Sequence, residues 1–357
     1  MTLLVILRDA ENKIKNLRSK GVMDFFYGFH FLKNRNNIKV LYLIRTKPNS
    51  IIKFFCFPFE KLFSKFSTLG FHIDILIENF KIIRNSKKIF TPTDGLSFAI
   101  LLGKFLKLHN ANCYTLFQSL SERKNKFFKN NYILTFIISL LLRKSNLVIV
   151  LSEISRLKLI EQFKLENNKV VTFRFGVDTK YWSTNKLKKI KYKLPKKFIL
   201  SVGNDMNRDF EILNKIENDI PIILVSQKKN INLKNFIFLH NITNDELKYL
   251  YHNCYFVIIP IKKIDTESSG LSTIMQSMSS GKLTLIPNNK PLLEYFKNKH
   301  DVLFYEAENT NSLQDNIRFI KNNSNTMKKI EVNAHNTIKN KYNLENMEEQ
   351  HLRYIKI

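Results

Sequence analysis

The segment 267–270 reads Glu-Ser-Ser-Gly and places a carboxylate, two hydroxyls and a glycine between two apolar elements. The run 256–261 before it is continuously apolar, which predicts a strand buried on both faces of a parallel sheet. Apolar residues recur at helical spacing over 271–279, and Gly281 ends that helix. The free N–H groups and the dipole of a helix start can hold a phosphate or a sugar oxygen. An ordinary buried βαβ unit gives the same pattern.

A second polar turn follows another apolar strand. The chain reads Phe-Ile-Leu-Ser-Val over 198–202 and continues through Gly203 and a short polar loop into a predicted helix. This order places Arg208 near a helix N-terminus. The alternative for Arg208 is a solvated position at the helix start, without a ligand.

Strands and helices alternate along the chain, which predicts an α/β protein with parallel sheets covered on both faces. The predicted strands include 38–44, 86–91, 146–151, 221–226, 236–240, 283–287 and 302–305. The predicted helices include 24–32, 96–108, 132–142, 153–163, 312–320 and 327–342. We expect the helix at 132–142 to be buried, because its apolar run is well below the roughly 20 residues that span a bilayer.

Length and composition favour two domains in a reducing compartment. A chain of 357 residues that is 44% hydrophobic is sufficient for two sizeable cores. Cys56, Cys113 and Cys254 lie far apart, and no histidine stands near them at ligand spacing, so neither a disulfide framework nor a zinc site is expected. The N-terminus lacks the basic start and long apolar run of a signal peptide. We therefore predict a cytoplasmic protein.

The net charge of +28 indicates an anionic partner, such as nucleic acid, an anionic membrane or an anionic substrate. Composition offers a second explanation, because the chain is rich in Lys, Asn and Ile, as sequences from AT-rich genomes are. Lys far outnumbers Arg, although phosphate and nucleic-acid sites favour Arg. The basic runs are scattered and not interleaved with aromatic residues along one surface, so no nucleic acid is expected as a partner.

The residues 267–282, Glu-Ser-Ser-Gly-Leu-Ser-Thr-Ile-Met-Gln-Ser-Met-Ser-Ser-Gly-Lys, resemble the donor-site signature of the retaining family 4 glycosyltransferases. In that family an acidic residue and a Gly-containing loop precede a helix with Glu-Ala-Met and a Gly-Lys turn. Gln276 stands where the second Glu of the signature would be, and Met278 matches its Met. Glu267 takes the place of the first Glu if the loop carries one extra residue; without it, Ser268 does.

The resemblance implies a nucleotide-diphosphate sugar as co-substrate, with no metal and no other cofactor. In the family, the loop after the first strand of the donor domain supplies an Arg and a Lys to the diphosphate. Here Asn204 replaces the Arg, and Arg208 lies one position short of the Lys. Cations and helix N-termini can offset the charge of a leaving diphosphate without a metal.

The resemblance also assigns roles to single residues. Arg208 and Glu267 are the expected catalytic residues: Arg208 would offset diphosphate charge, and Glu267 would bond sugar hydroxyls. Gln276 would bond the ribose, as a weaker partner than a carboxylate. The expected donor-binding residues are Gly203, Asn204, Ser268, Ser269, Gly270, Leu271 and Gln276.

Gly176-Val177-Asp178 resembles the segment that closes the N-terminal domain of these enzymes. The resemblance implies a GT-B architecture, with two Rossmann-like parallel-sheet domains facing a cleft. The expected organisation is an acceptor-side domain at 1–180, a basic linker at 181–197, a donor domain at 198–342 and a tail at 343–357 that crosses back to the first domain. The expected acceptor-side residues are Gly21, Asp24, Gln118 and Ser119, of which Gln118 and Ser119 occupy a segment where relatives often place a His.

One predicted helix carries an apolar stripe with positive charge around it. Phe59, Leu62, Phe63 and Phe66 are spaced to share a helix face, and Lys53, Lys61 and Lys65 surround them. The segment 123–129 is also basic and contains two Phe. An interfacial helix on an anionic membrane has this composition, and so does the buried face of a core helix.

The sequence therefore predicts a glycosyltransferase that moves a sugar from a nucleotide-diphosphate sugar to a polysaccharide or lipid-linked acceptor, with retention of configuration. Its expected location is cytoplasmic, with peripheral contact to the inner face of a membrane. Two alternatives stay open: a nucleotide-sugar epimerase of the same architecture, and a catalytically silent sugar-binding relative. A nucleic-acid-binding protein is less favoured.

Overall fold

The computed structural model describes residues 2–7, 21–32, 39–44, 50–188, 190–228 and 236–355. Contacts divide the chain into two units. The first comprises Met1–Arg174, Thr266–Ser268 and Glu345–Ile357, and the second comprises Phe175–Asp265 and Ser269–Leu344. The predicted boundary lay a few residues later, at 180.

The first unit is built on a parallel sheet of six strands in the order β2-β1-β3-β4-β5-β6. The strands are β1 Thr2–Leu7, β2 Lys39–Ile44, β3 Lys88–Thr91, β4 Asn112–Leu116, β5 Leu147–Val150 and β6 Val170–Thr172. The helices are α1 Phe29–Leu32, α2 Ser50–Ser67, α3 Ile73–Glu78, α4 Phe80–Arg84, α5 Asp94–Phe105, α6 Leu120–Phe127, α7 Tyr132–Lys144 and α8 Glu153–Phe163. β5 is buried along its whole length, as expected for a strand with helices on both faces.

The second unit repeats this plan, with six parallel strands in the order β12-β11-β10-β7-β8-β9. The strands are β7 Ile199–Val202, β8 Ile222–Val225, β9 Phe236–Leu239, β10 Val257–Ile258, β11 Thr284–Pro287 and β12 Leu303–Tyr305. The helices are α9 Thr179–Ser183, α10 Asn244–Asn253, α11 Leu271–Ser279, α12 Lys290–Leu293, α13 Thr310–Asn322 and α14 Ser324–Lys341, and a last helix, α15 Leu344–Ile355, follows. The expectation of an α/β protein with parallel sheets is confirmed.

The C-terminal helix α15 packs within the first unit. His351 Nε2 donates a hydrogen bond of 2.8 Å to the Tyr27 carbonyl, and its ring stacks on Phe29. The Gln350 side chain pairs with the backbone of Arg174 through both its oxygen and its nitrogen. These contacts hold the end of the chain against the first unit.

Two helix predictions were wrong. The helix expected at 24–32 is a 3-10 turn, Asp24–Phe26, followed by α1, because Tyr27 and Gly28 are left-handed with φ of 53° and 78°. The helix expected to be buried at 132–142 is α7, and only one of its faces is buried. Tyr132, Ile133 and Phe136 on the other face are exposed, since an apolar run longer than a single stripe cannot all face one core.

Candidate functional site

Two loops of the second unit meet at the point where its strand order reverses. β7 and β10 are neighbours in the sheet, and the chain leaves them in opposite directions along it, to β8 and to β11. The loop after β7 begins at Gly203, and the segment after β10 leads to α11. Ligands of open α/β sheets bind at the carboxyl ends of the strands at such a switch point. Backbone pairing of Arg208 with Ile261 joins the two loops directly.

Arg208 lies at the centre of this arrangement and is 5% exposed. Its Nε is 3.2 Å from Asp205 Oδ2, and its Nη2 donates a hydrogen bond of 3.3 Å to Thr273 Oγ1 on α11. Nε and Nη1 donate no hydrogen bond to any residue that the structure describes. Burial lowers the pKa of the guanidinium from its ordinary value, while the Asp205 carboxylate opposes this shift. A buried guanidinium with unused donors is suited to an anion.

The expectation that Arg208 stands at the start of a regular helix was wrong. The following residues form the 3-10 helix Phe210–Lys215, without a side-chain cap at Asp209. The amide of Asp209 instead donates to the Pro260 carbonyl, and that of Lys262 to the Asn207 carbonyl. The loop around Arg208 therefore pairs with the segment after β10 as a short strand would. This pairing directs the Arg208 side chain into the interior.

Gly203 and Gly270 make room for the Arg208 side chain. A Cβ at residue 203 would lie 1.8 Å from Arg208 Nε, and a Cβ at residue 270 would lie 2.5 Å from Nη1. Gly270 also has φ of 78° at the N-cap of α11, a left-handed conformation that favours glycine. Both glycines thus allow the Arg208 side chain to approach the backbone closely, which a side chain at either position would prevent.

Asp205 was not singled out in the sequence. Its Oδ1 accepts a hydrogen bond of 2.9 Å from Ser269 Oγ, and its other oxygen faces Arg208. Asp205 therefore holds the loop after β7 to the residue that precedes Gly270. An acidic residue in a polar turn is too common for the sequence alone to identify this role.

The other predicted donor residues differ in what they contact. Asn204 Oδ1 accepts a hydrogen bond of 2.7 Å from the Gln227 amide, so its side chain holds the end of β8. Leu271 is buried at the start of α11, and Gln276 is buried one turn and a half later.

Lys228 is a second cation near Arg208 that the sequence analysis missed. It follows β8, and its ammonium lies 5.7 Å from the ring centre of Phe210. Burial lowers the pKa of Lys228; Asp205 opposes the shift, and the positive charges of Lys262 and Arg208 add to it. The loops after β7, β8 and β10 therefore each contribute one cation: Arg208, Lys228 and Lys262. The charges of Arg208 and Lys262 are close enough to Lys228 to lower its pKa.

Glu267 and Ser268 belong to the short segment Thr266–Ser268, which is counted with the first unit. Both side chains are half-buried. The Oγ of Ser268 is buried and has no hydrogen-bond partner within the described ranges. Thr266, directly before them, donates to the carboxylate of Glu122 from its amide at 3.0 Å and from its hydroxyl at 2.9 Å.

The predicted acceptor-side residues Gln118 and Ser119 are held together by Asp94. The Asp94 carboxylate accepts from the Gln118 amide at 2.8 Å, the Ser119 amide at 3.2 Å and the Ser119 hydroxyl at 2.6 Å. Burial raises the pKa of Asp94, and these hydrogen bonds, together with the charge of Arg123, oppose the increase. Asp94 was not among the predicted site residues.

One residue of the Gly21–Gly28 segment, Tyr27, interacts with Gln118. Burial raises the pKa of Tyr27, and an interaction with the Gln118 side chain opposes this increase. Gln118 Nε2 donates a hydrogen bond of 2.9 Å to the Pro92 carbonyl. Asp24 is fully buried in its 3-10 turn, whereas Gly21 is half-buried at the edge of the described residues. Tyr27 thus connects the predicted acceptor loop to Gln118.

One residue of the apolar stripe on α2 packs against the core, and the others are exposed to solvent. Phe63 is packed on the core against Phe71 and Phe98, with ring centres 4.8 and 5.3 Å apart. The other members of the stripe, Phe59, Leu62 and Phe66, are exposed, as are Phe54 and Phe55. A cavity of about 560 Å³ along α2 is lined in part by Lys53, Lys61 and Lys65. Among the described residues, no helix is both long and apolar enough to cross a membrane.

Three side chains with metal-ligand chemistry come together next to this cavity. One ligand atom each of Glu60, His72 and Asp74 lies within 4.8 Å of the others. The ammonium of Lys53 forms an ion pair with Glu60 and lies 4.0 Å from Asp74 Oδ2. A cation of the chain itself therefore already offsets the two buried carboxylates.

Comparisons with known proteins agree with this geometry. Residues 223–337 match the profile of the family described as Glycosyl transferases group 1. No curated protein matches the sequence. Sucrose-phosphate synthase from Thermosynechococcus elongatus is a structural neighbour with a TM-score of 0.71 and 14% identity, over 100% of this chain and 98% of that chain.

Two further structural neighbours match over almost the whole of both chains. Anabaena HepE, solved in complex with UDP and glucose, has a TM-score of 0.69 and 11% identity over 100% of this chain and 99% of that one. A glycosyltransferase from Rickettsia africae has a TM-score of 0.60 and 16% identity over 99% of this chain and 98% of that one. The chain therefore has the GT-B fold, and its residues 223–337 are similar to the glycosyl transferases group 1.

Proposed function

We propose that the chain is a glycosyltransferase that transfers a sugar from a nucleotide-diphosphate sugar. The observation that carries the proposal is the buried Arg208 guanidinium, which has unused donors at the switch point of the sheet and contacts α11. A diphosphate leaving group gains negative charge as the glycosidic bond to the sugar breaks, and fixed cations stabilise that charge. The match of residues 223–337 to glycosyl transferases and the UDP bound by the HepE neighbour support this assignment.

The proposed donor site uses several groups in distinct roles. Arg208 and Lys228 offset the charge of the diphosphate, and the N-terminus of α11 at Gly270 adds its amides. Glu267 bonds the hydroxyls of the sugar, and Gln276 bonds the ribose. Because the charge is offset by side chains and amides, we propose that no metal is needed. Excess EDTA is then expected to leave the rate of UDP release unchanged, and a lost rate restored by Mg²⁺ would contradict this part.

A binding experiment tests the donor site. The wild-type protein should be stabilised against thermal unfolding by UDP and much less by uridine, which lacks the phosphates. Arg208→Ala should weaken UDP binding by on the order of 10- to 100-fold, as expected for a lost charge-assisted pair. Uridine binding should stay nearly unchanged. Equal loss of UDP and uridine binding would indicate a folding defect, and no response to any nucleoside diphosphate would refute the function.

We propose that the acceptor is a polysaccharide or a lipid-linked glycan at an anionic membrane. The support is the exposed aromatic face of α2, where Phe54 and Phe55 are 75% and 68% exposed, together with Lys53, Lys61 and Lys65 on the same helix. Aromatic side chains with surrounding lysines are suited to the interface of an anionic bilayer. We further propose that configuration is retained. NMR of the product would establish its anomeric configuration, and an inverted linkage would contradict retention.

Two alternatives predict different products. An epimerase would convert a nucleotide sugar into its epimer without release of UDP, whereas a transferase releases UDP when acceptor or water takes the sugar. A catalytically silent relative would bind UDP and show neither product. Separation of the reaction products by anion-exchange chromatography distinguishes the three.

A further inference from the structure

Thr266, directly before Glu267, is held by hydrogen bonds to its amide, its hydroxyl and its carbonyl. It is 1% exposed. Its amide and its hydroxyl both donate to Glu122 Oε2, at 3.0 and 2.9 Å. Its carbonyl accepts a hydrogen bond from Ser155 Oγ. Every polar group of Thr266 is therefore bonded, which fixes the peptide planes on either side of this residue.

The two anchoring elements belong to the first unit, as Thr266 does. Glu122 lies on α6, and Ser155 lies in the first turn of α8, where Ser152 is the N-cap. Ser152 and Ser155 share a hydrogen bond of 2.6 Å, so the hydroxyl that meets the Thr266 carbonyl is itself oriented. The segment is held by groups whose own positions are fixed by helices.

A carboxylate such as that of Glu122 is rarely buried unless it is hydrogen-bonded or ion-paired, because an unpaired buried charge is costly. It is 3% exposed, and its Oε1 lies 3.0 Å from Lys126 Nζ on the next turn of α6. Hydrogen bonds to an ionised carboxylate are roughly twice as strong as neutral ones. The cavity beside the contact is about 10 Å³, near the lower limit for one water molecule. The carboxylate thus bonds Thr266 directly and not through solvent.

The same helix begins at the predicted acceptor side. Gln118 and Ser119 directly precede α6, and their amides are fixed by Asp94. Glu122 follows Ser119 by less than one turn. One rigid element therefore carries both the acceptor-side residues and the carboxylate that holds Thr266.

We propose that Glu122 is a positioning residue, which fixes the segment Thr266–Ser268 and so aims Glu267 at the sugar. The inference rests on the proposed function for its catalytic consequence, but the positioning itself can be measured without turnover. A shift of about 1 Å in a catalytic group can reduce a rate by on the order of 100-fold. Glu122 and Thr266 are distant along the chain, so no local pattern indicates this role.

Hydrogen–deuterium exchange tests the positioning. Glu122→Gln keeps the size of the side chain but loses the charge. Amide exchange in peptides that cover residues 266–271 should become about tenfold faster or more, as expected for the loss of charge-assisted hydrogen bonds. Lys126→Gln is the matched control, because it removes the neighbouring ion pair and leaves both Thr266 bonds in place. Unchanged exchange in Glu122→Gln, or equal acceleration in the control, would overturn the proposal.

The catalytic consequence is measured with UDP-glucose and UDP as probes. In Glu122→Gln, kcat for UDP release should fall by on the order of 100-fold, while the Kd for UDP changes less than about twofold. Thr266→Val should reproduce the loss in part, and Thr266→Ser, which keeps the hydroxyl, should restore the rate. Equal loss of UDP binding and kcat would overturn the proposal in favour of a structural role. If the wild type neither binds UDP nor releases it, the proposed function fails with this donor, and the exchange result alone decides whether Glu122 positions the segment.

Discussion

Nη1 of Arg208 lies so close to Gly270 that a Cβ at residue 270 would stand 2.5 Å from it. Real Cβ atoms do not approach another heavy atom so closely, so any side chain at 270 must displace the guanidinium. The glycine at the start of α11 and the cation from the loop after β7 therefore depend on each other. Donor binding should respond to either residue.

Gly270→Ala should thus weaken UDP binding although Arg208 is still present. We expect the affinity to fall by on the order of 10-fold, because the displaced guanidinium loses its alignment with the phosphates. The positive φ of 78° adds backbone strain of about 1 kcal/mol to the free energy of folding. Isothermal titration with UDP measures the affinity, and thermal unfolding measures the strain.

Gly281→Ala is the matched control for that strain. Gly281 has a similar φ of 71°, but a Cβ there would have no heavy atom within 4 Å. Its substitution should lower the melting temperature and leave the UDP affinity unchanged. Equal loss of affinity in both variants would show that backbone strain, and not the Arg208 contact, controls binding.

The register of the donor loop can be tested with two single variants. If Glu267 bonds the sugar, Glu267→Ala should reduce UDP release from UDP-glucose by on the order of 10²-fold, while the melting temperature hardly changes. A half-buried carboxylate in a loop contributes little to core packing, so the melting temperature should stay nearly constant even though UDP release falls. Ser268→Ala should be close to wild type. A damaging Ser268→Ala with a silent Glu267→Ala would place Ser268, and not Glu267, at the sugar.

Binding to anionic vesicles should require the exposed face of α2. The wild-type protein is expected to sediment with vesicles that contain phosphatidylglycerol, and less so at high salt, since exposed charges are screened over about 10 Å at 0.1 M. The double substitution of Phe54 and Phe55 by Ser should abolish sedimentation and leave the melting temperature unchanged, because both rings face solvent.

Phe63→Ser provides the contrast on the same helix. Phe63 is partly buried and packs against Phe71 and Phe98, so its loss should reduce the free energy of unfolding, by less than the about 3 to 5 kcal/mol of a fully buried phenylalanine. This variant should unfold at lower temperature. If the wild-type protein does not sediment with the vesicles at low salt, the membrane proposal fails while the donor-site proposal stands.

Acid should destabilise the first unit through His351. Burial lowers the pKa of His351 from 6.5 to about 3, and the hydrogen bond to the Tyr27 carbonyl opposes this only in part. Between these two pKa values the unfolded chain binds a proton that the folded chain does not, so stability falls as the pH falls below 6.5. At pH 5 the expected loss is about 2 kcal/mol.

His351→Gln should remove most of this dependence. Gln keeps a donor for the Tyr27 carbonyl and does not titrate. Chemical denaturation at pH 7 and pH 5 gives the free energy of unfolding of both proteins. The same loss between the two pH values in the variant and the wild type would assign the acid sensitivity to other groups.

The sequence by itself determined the fold class and indicated the chemistry that we propose for the segment 267–270. Short continuous apolar runs such as Leu147–Val150 favour strands buried on both faces, and their alternation with helices implies parallel sheets. A glycine before a helix start, as at Gly270, is typical of phosphate-binding loops and also of ordinary βαβ turns. Such features depend on neighbours along the chain, so local patterns are sufficient to predict them.

Tertiary structure alone decided how these residues are used. No pattern along the chain could place both Gly203 and Gly270 against the Arg208 side chain, or bring the charge of Lys228 from another strand close to it. The stripe on α2 has a single period, yet Phe63 meets the core and Phe59 meets solvent. Glu122 and Thr266 are 144 residues apart in sequence and share two hydrogen bonds. Contacts between distant residues arise only when the sheets assemble, because the energy that fixes them comes from packing and burial and not from local propensity.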